Sequence, residues 1–367
     1  MFLLNLLLFF ILFPFRHPKL YFVFTIINAI LSLFIYISLK PYYALKNGQD
    51  IHAKYPEFKR NDNLSFIRLF IGFMTLAWPR AILFLFTMWL ESFVLLIGDV
   101  NNKKLKDPFY KGAMRFILFC LGCVIPTIEK RDEKCKEVYA KYLGKDYKLS
   151  YDKKFATVIG NHCSFIDAFF YGWQFACSYI SKKTASKIPL IRTIAIYNKT
   201  LYLDRTNEED RHKIADEISN RQRNILSGEF NTQLCIFPEG TITNGKYIIK
   251  FKRGAFMALL PLKPMIELIE HNPIYELSTG VLPMHFHLIY ALCFLYIPVT
   301  FISLPIIEPT EYMYEHYADL GKEKWQIYME VTRKIMSEVS GLPMSDVNFP
   351  EKLEYMSLIK GKKVKNT

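Results

Sequence analysis

Phe155-Ala156-Thr157-Val158-Ile159-Gly160-Asn161-His162-Cys163-Ser164-Phe165-Ile166-Asp167 holds the key to the chain. Its first five residues read as a strand, and the apolar run Ala168 to Trp173 behind it reads as a helix; the polar residues between make a tight turn. His162 and Asp167 stand five residues apart. On one continuous helix that spacing turns the chain by about 140°, so the two side chains meet only if His162 lies in the turn ahead of the helix. Ser164 is a natural N-cap, and Asp167 three residues on completes a Ser-x-x-Asp capping box, which accounts for Ser164 as a structural residue. An imidazole whose tautomer is fixed by a carboxylate is, beyond that, a candidate general base.

Downstream, short β-like runs alternate with helical patterns, which predicts an α/β domain with a mixed sheet flanked by helices. The strand candidates are Phe155 to Ile159, Ser178 to Ser181, Thr200 to Leu203, Leu234 to Phe237, Met265 to Ile269 and Val299 to Ile302. Asn207 caps a helix whose stripe is Ile214, Ile218 and Ile225 and which ends at Gly228; a second helix runs from Lys322 to Ser340 and stops at Gly341.

In an open α/β sheet, reactive groups gather at the carboxyl ends of strands. Three polar clusters stand at such ends: Asn161 to Asp167, Tyr202-Leu203-Asp204-Arg205, and Phe237-Pro238-Glu239-Gly240-Thr241. His-x-x-x-x-Asp, then a strand ending in Asp-Arg, then Phe-Pro-Glu-Gly-Thr, then an apolar strand entered at Pro264, resembles the glycerolipid acyltransferases, which include the glycerol-3-phosphate and lysophospholipid acyltransferases. The third block with Lys250-Phe251-Lys252-Arg253-Gly254-Ala255-Phe256 behind it, and Leu76-Ala77-Trp78-Pro79 upstream, is most similar to the lysophosphatidylcholine acyltransferase branch. The resemblance runs roughly from Leu64 to Pro350, with its motif-bearing core at Phe155 to Ile269. Cys163 departs from it, standing where such enzymes more often carry a small hydroxyl or apolar residue.

The resemblance implies transfer of a fatty acyl chain from a coenzyme A thioester to the free hydroxyl of a lysophospholipid by general-base catalysis, with glycerol 3-phosphate as the nearest alternative acceptor. It implies His162 as the base, Asp167 as its orienter, Arg205 as the planar grip on the acceptor's phosphate, and Glu239, Gly240 and Thr241 as the surrounding pocket. Acyl-CoA is then a co-substrate, and neither a cofactor nor a metal is expected. Asp204 reads equally as a partner for Arg205 or as a site residue; Lys252 and Arg253 read as a solvated patch, with a hold on coenzyme A phosphates as the alternative. Cys163 raises a rival route through an acyl-cysteine, but a thioester is already activated and direct attack by the hydroxyl needs no covalent stage. A serine hydrolase of the commonest lipase type would need a Gly-x-Ser-x-Gly elbow, which the sequence lacks. A catalytically silent lipid-binding protein of the same fold is the rival from another class.

Composition agrees with a lipid substrate. Half the residues are hydrophobic and the mean hydropathy is positive, so a membrane is the first partner to expect. Lys and Arg total 47 against 34 acidic residues, a formal charge of +13, which favours phosphate-bearing partners; beside such hydrophobicity this means lipid, and no nucleic acid is expected. The seven cysteines form no framework, and Cys120 and Cys123 lie in an apolar run, as buried thiols of a reducing, cytosol-facing protein do.

The organisation expected is an N-terminal membrane anchor and basic linker (1–63), a membrane-embedded hairpin and interfacial helix (64–128), the catalytic domain (129–350) and a basic tail (351–367). Phe2 to Phe13 reads as an interfacial segment rather than a cleaved signal, since no positive region precedes it. Leu20 to Leu39 fits one bilayer crossing. Leu64 to Gly98 is apolar but interrupted by Arg68, Trp78-Pro79-Arg80 and Glu91, which suits a bent hairpin entering one leaflet; Phe109 to Pro126 reads as an amphipathic helix on the membrane surface. His285 and His287 lack any matching ligand spacing and read as interfacial, and the apolar run Leu288 to Ile297 as a roof for the acyl groove or a dip into lipid. Lys362-Lys363-Val364-Lys365-Asn366-Thr367 resembles a lysine-based retrieval signal of endoplasmic reticulum membrane proteins.

Overall fold

Seven strands, β1 (Thr127–Glu129), β2 (Thr157–Gly160), β3 (Ser178–Lys182), β4 (Leu201–Leu203), β5 (Leu234–Ile236), β6 (Leu262–Leu268) and β7 (Thr300–Ser303), form one mixed sheet in the order β1-β7-β6-β2-β5-β3-β4. The computed structural model describes residues 17–43, 51–97, 103–182, 186–203, 208–269 and 274–359. The readings made at Phe2 to Phe13, at Asp204 and Arg205, and at Lys362 to Thr367 fall outside the described residues.

Around the sheet lie α1 (Pro18–Tyr43), α2 (Ile51–Lys54), α3 (Phe66–Leu96), α4 (Lys103–Cys120), α5 (Asp132–Leu143), α6 (Asp167–Phe175), α7 (Pro189–Tyr197), α8 (Glu208–Ser227), α9 (Met284–Leu292), α10 (Glu311–His316), α11 (Lys324–Ser340) and α12 (Phe349–Ile359). β2 is central and pairs in parallel with β5 and β6; β3 pairs in parallel with β5 and β4, while β6 and β7 are antiparallel. Parallel neighbours need crossovers, which α6, α7 and α8 supply in turn. Successive β2 residues feed opposite faces: Val158 joins the core under α4 and α6, Ile159 the core under α5, α8 and α11. Both are fully buried, as befits a strand covered on two sides. At its end, a Cβ on Gly160 would collide with the Tyr171 hydroxyl, so glycine is what lets α6 come this close to the end of β2.

The six expected strands form within a few residues of their expected ends, and the two expected helices are α8 and α11. The start of α11 is set by a capping box between Glu323 and Gln326. β1 is additional. It pairs with β7 in register Thr127–Thr300, so the boundary expected between 128 and 129 falls inside a strand of the sheet.

Two readings of the N-terminal third are corrected. Leu64 to Gly98 does not bend into a hairpin: α3 is one helix, with a π-helical stretch at Phe73–Ala77. That wider turn stands where the Pro79 ring would meet the carbonyl of Thr75, which is how the helix runs on through proline. Two of the charges that argued for a break are turned inward: Arg80 donates to the carbonyls of Phe294 and Leu295, and Glu91 is fully buried, while Arg68 stays partly exposed and donates to the carbonyls of Ile274 and Asn63. The segment Phe109 to Pro126 is likewise not a helix resting on a surface. α4 buries Tyr110, Met114, Ile117 and Leu118 in the core beneath α6, so protein covers this part of its apolar surface, while Phe116 and Phe119 stay exposed.

The expected crossing Leu20 to Leu39 lies within α1. α1 and α3 are both long and apolar enough to cross a membrane. They expose Phe22, Ile30 and Phe34 on one and Ile82, Leu85 and Trp89 on the other, and are tied together where Trp78 Nε1 donates to the buried Asn28 Oδ1 at 2.8 Å. At the other end of the chain, residues expected as a tail form α12, whose Tyr355 packs against Tyr55 and Phe58.

Candidate active site

The turn after β2 is held from below by Asn161, whose side chain accepts from the Glu267 amide at 2.8 Å and donates to the Glu267 carbonyl at 2.9 Å. This ties the turn to β6 and presents His162 to the open side. His162 Nδ1 lies 2.8 Å from Asp167 Oδ2, in a fully buried carboxylate. The same carboxylate accepts from the amides of Cys163 (2.9 Å) and Ser164 (3.0 and 3.1 Å). These donors, with the N-terminus of α6, compensate the burial of its charge.

The expected cap is only half present. α6 starts at Asp167 rather than after Ser164, and the Ser164 hydroxyl instead accepts from the Ile166 amide (3.3 Å) and meets the Thr279 hydroxyl at 3.2 Å. The helix begins two residues later than a cap at Ser164 would place it, because the Asp167 carboxylate binds the amides of the turn itself. That detour is what lets a residue five positions away reach the histidine.

Phe237, at the end of β5, lies flat on the imidazole, with ring centroids 4.1 Å apart and planes 12° apart. Glu239 is fully buried; its carboxylate accepts from the His162 amide (2.9 Å) and the Ile249 amide (3.2 Å). Burial pushes this carboxyl up to about 8, against the pull of those two amides. It holds the His162 turn from behind and is not among the residues lining the cavity. Gly240 and Thr241 do line it. Gly240 has φ +65°, and a Cβ there would meet the Lys252 stem at 2.8 Å, so the turn and the lysine share space that only glycine leaves. Arg205, expected to join them, lies outside the described residues.

His162 opens on a cavity of about 1100 Å³. Its walls are mostly apolar, from Phe165, Ile180, Ile218 and Ile236 to Val281 and Met356. Among the described lining residues the charged ones are Lys252, Arg253 and Lys352, with no carboxylate. Lys252 and Arg253, read from the sequence as a solvated patch, thus border the cavity.

Two groups escaped the sequence reading. His287 is buried rather than interfacial: Nδ1 meets the Thr279 hydroxyl at 3.0 Å and Nε2 the Tyr275 hydroxyl at 2.7 Å, and burial pulls its basicity well down. Thr279 passes this on, accepting from the Phe165 amide at 3.2 Å and donating its own amide to the Cys163 carbonyl at 2.9 Å. The run behind it, Leu288 to Ile297, buttresses α3 through the two carbonyls that hold Arg80 instead of roofing the cavity. The second group is α12, whose Phe349, Lys352, Leu353 and Met356 line the cavity, although nothing local in the sequence links them to His162.

Chemically, a carboxylate on Nδ1 leaves the imidazole lone pair on Nε2, the arrangement of a general base. Cys163 is fully buried, and burial above all pushes its thiol well up, which disfavours the thiolate that a nucleophile would need. Burial, then the Asp167 charge, also pushes the Glu267 carboxyl well up, so this acid beside the His162–Asp167 pair favours its neutral form.

Residues 141–271 match the family model described as Acyltransferase. The chain is 25% identical over 206 residues to lysophospholipid acyltransferase LPEAT1 of Arabidopsis thaliana, covering 56% of this chain and 50% of that protein. It is 28% identical over 298 residues to lysophosphatidylcholine acyltransferase 1 of Homo sapiens, covering 78% of this chain and 48% of that one. The chain thus spans about half the length of these curated relatives. Among solved structures, the 1-acyl-sn-glycerophosphate (LPA) acyltransferase PlsC from Thermotoga maritima aligns with 72% of this chain and 97% of its own at 13% identity and a TM-score of 0.42.

Proposed function

We propose, for a chain that belongs to the glycerolipid acyltransferase family and within it to the lysophosphatidylcholine acyltransferase-like branch, that it transfers a fatty acyl group from acyl-CoA to the free hydroxyl of a lysophospholipid. The observation that carries this reading is the His162–Asp167 pair, 2.8 Å apart at the wall of a large apolar cavity with a cationic stretch. His162 Nε2 takes the proton of the acceptor hydroxyl as its oxygen attacks the thioester carbonyl. When the tetrahedral intermediate collapses, the C–S bond breaks and the imidazolium returns the proton to the leaving thiolate of coenzyme A. Asp167 stabilises the imidazolium in between. The thioester supplies its own activation, so acyl-CoA is a co-substrate and the reaction calls on no further cofactor.

The acceptor and donor enter from a membrane in this reading, and the apolar faces of α1 and α3 support that placement. A site at the endoplasmic reticulum with the catalytic domain towards the cytosol rests on the basic tail and the unpaired thiols. The test is a transfer assay on membranes containing the full chain, with a panel of lysophospholipids and glycerol 3-phosphate against several acyl-CoAs. Transfer to a lysophospholipid that His162→Ala abolishes, at unchanged expression and membrane association, supports the reading. Transfer only to glycerol 3-phosphate would reassign the acceptor, and undiminished transfer by His162→Ala would remove the base.

A further inference from the structure

We infer that Arg60, in the linker between α2 and α3, is a positioning residue for the base: it fixes the segment from Glu276 to Gly280, which braces the turn carrying His162. The base is the one that the acyl-transfer reading assigns. Arg60 and the segment it holds both lie outside the matched residues 141–271.

Expected as part of a basic linker, Arg60 lies inside the protein, its side chain 3% exposed and that of Asp62 beside it fully covered. The two meet as a fork, Nε on Oδ1 at 3.0 Å and Nη2 on Oδ2 at 2.7 Å. The guanidinium reaches past Asp62 to a distant backbone: Nη1 donates to the Ser278 carbonyl, and Nη2 donates to the Glu276 carbonyl at 2.9 Å. Contacts also run the other way. Asp62 Oδ2 accepts from the Glu276 amide at 3.2 Å, and Glu276 Oε2 accepts from the Asn61 amide at 2.8 Å. A buried ion pair adds little net stability, because desolvation offsets most of its attraction. Its planar fork does what an apolar side chain of equal volume cannot, holding two carbonyls and a carboxylate in fixed relation.

Thr279 directly follows the carbonyl that Nη1 holds. Its hydroxyl meets the Ser164 hydroxyl and accepts from the Phe165 amide, both at 3.2 Å, and its amide donates to the Cys163 carbonyl at 2.9 Å. The three residues after His162 therefore hang from one threonine. The same linker reaches the turn by a second route. Asn244 Nδ2 donates to the carbonyls of Pro56 (2.7 Å) and Lys59 (3.0 Å), and its neighbour Thr243 donates its amide to the His162 carbonyl at 2.8 Å. Arg60 thus belongs to a clasp that grips the His162 turn through neighbours on two sides.

The test is a double-mutant cycle on the full chain in detergent. Arg60→Lys keeps the charge opposite Asp62 and loses the fork. It should lower kcat about tenfold with KM values within about twofold of the parent, since alignment is lost rather than binding. Because Arg60 acts through Thr279, Arg60→Lys combined with Thr279→Val should fall little below the slower single variant, whereas independent effects would multiply. Hydrogen exchange supplies a readout that needs no turnover: the peptide spanning Asn161 to Asp167 should exchange about tenfold faster in Arg60→Lys, with α11 as in the parent. Unchanged kcat, an effect confined to KM, multiplying effects in the double variant, or exchange that is unchanged at the turn or equally faster at α11 overturns the inference. A chain that transfers no acyl group refutes the functional reading instead, and the exchange measurement still decides whether Arg60 holds the turn.

Discussion

Phe237 lies face to face with His162, 4.1 Å between ring centroids, so the imidazole is held by a carboxylate at its edge and by an aromatic plane on its face. Hydrogen bonding alone leaves the ring free to swing about the Nδ1 contact; the stack removes that freedom. Phe237→Ala should lower kcat by about 10²-fold, the cost of roughly an ångström of misplacement, with KM for either substrate little changed. Phe237→Tyr, which keeps the plane, should retain most of the rate. Steady-state kinetics on the two variants checks this, and an effect confined to KM would assign Phe237 to substrate binding instead.

Glu239 should make stability depend on pH in a particular direction. Burial raises its folded pKa to about 8, above the ordinary carboxylate value of 4.5. A raised pKa means that its contribution to stability is complete below about 4.5 and is lost as pH rises through about 8. Glu239→Gln does not titrate, so the fall in melting temperature between those limits should flatten. The variant should also start lower, by about 1–3 kcal/mol, because an amide cannot accept from both the His162 and Ile249 amides. Melting curves across that pH range read out both effects.

Cys163→Ala separates direct transfer from a covalent route. Its thiol is buried and held in the neutral form, and Asn161 Nδ2 approaches the sulfur at 3.3 Å. The alanine variant should lose about 1 kcal/mol of stability, as for one small buried group, and keep most of its transfer rate. Near-complete loss of transfer in a folded variant would establish an acyl-cysteine.

Thr279 should behave as a positioning residue. It joins the buried His287 to the Phe165 amide and Ser164 hydroxyl, three and two residues from His162. Thr279→Val keeps the shape and strands those partners, at a cost of about 1–3 kcal/mol. The transfer rate should fall through kcat, and Thr279→Ser should restore it. A stability loss with unchanged kcat would make the residue purely structural.

How much of this was legible in the sequence follows from the range of each interaction. The strand before His162, the turn and the pairing with Asp167 were readable because the contacts of the Asp167 carboxylate with His162, Cys163 and Ser164 lie within five residues, and α8 and α11 were readable from their periodicity and stops. Arg80 and Glu91 misled in the opposite sense. Their charges signal a broken segment only if nothing covers them; both are buried, and what covers Arg80 is the loop at Phe294 and Leu295, over two hundred residues away.

By itself, then, the sequence determined the α/β alternation, the pairing of His162 with Asp167 and the apolar stretch of α1, since local periodicity, capping and spacing are properties of short windows. Only the tertiary structure decided that Glu239 clamps the His162 turn instead of lining the cavity, that α4 belongs to the core, and that the apparent tail is a helix bringing Lys352 to the site. Those outcomes depend on which distant surfaces cover one another, and burial against a partner hundreds of residues away leaves no mark on the neighbouring letters.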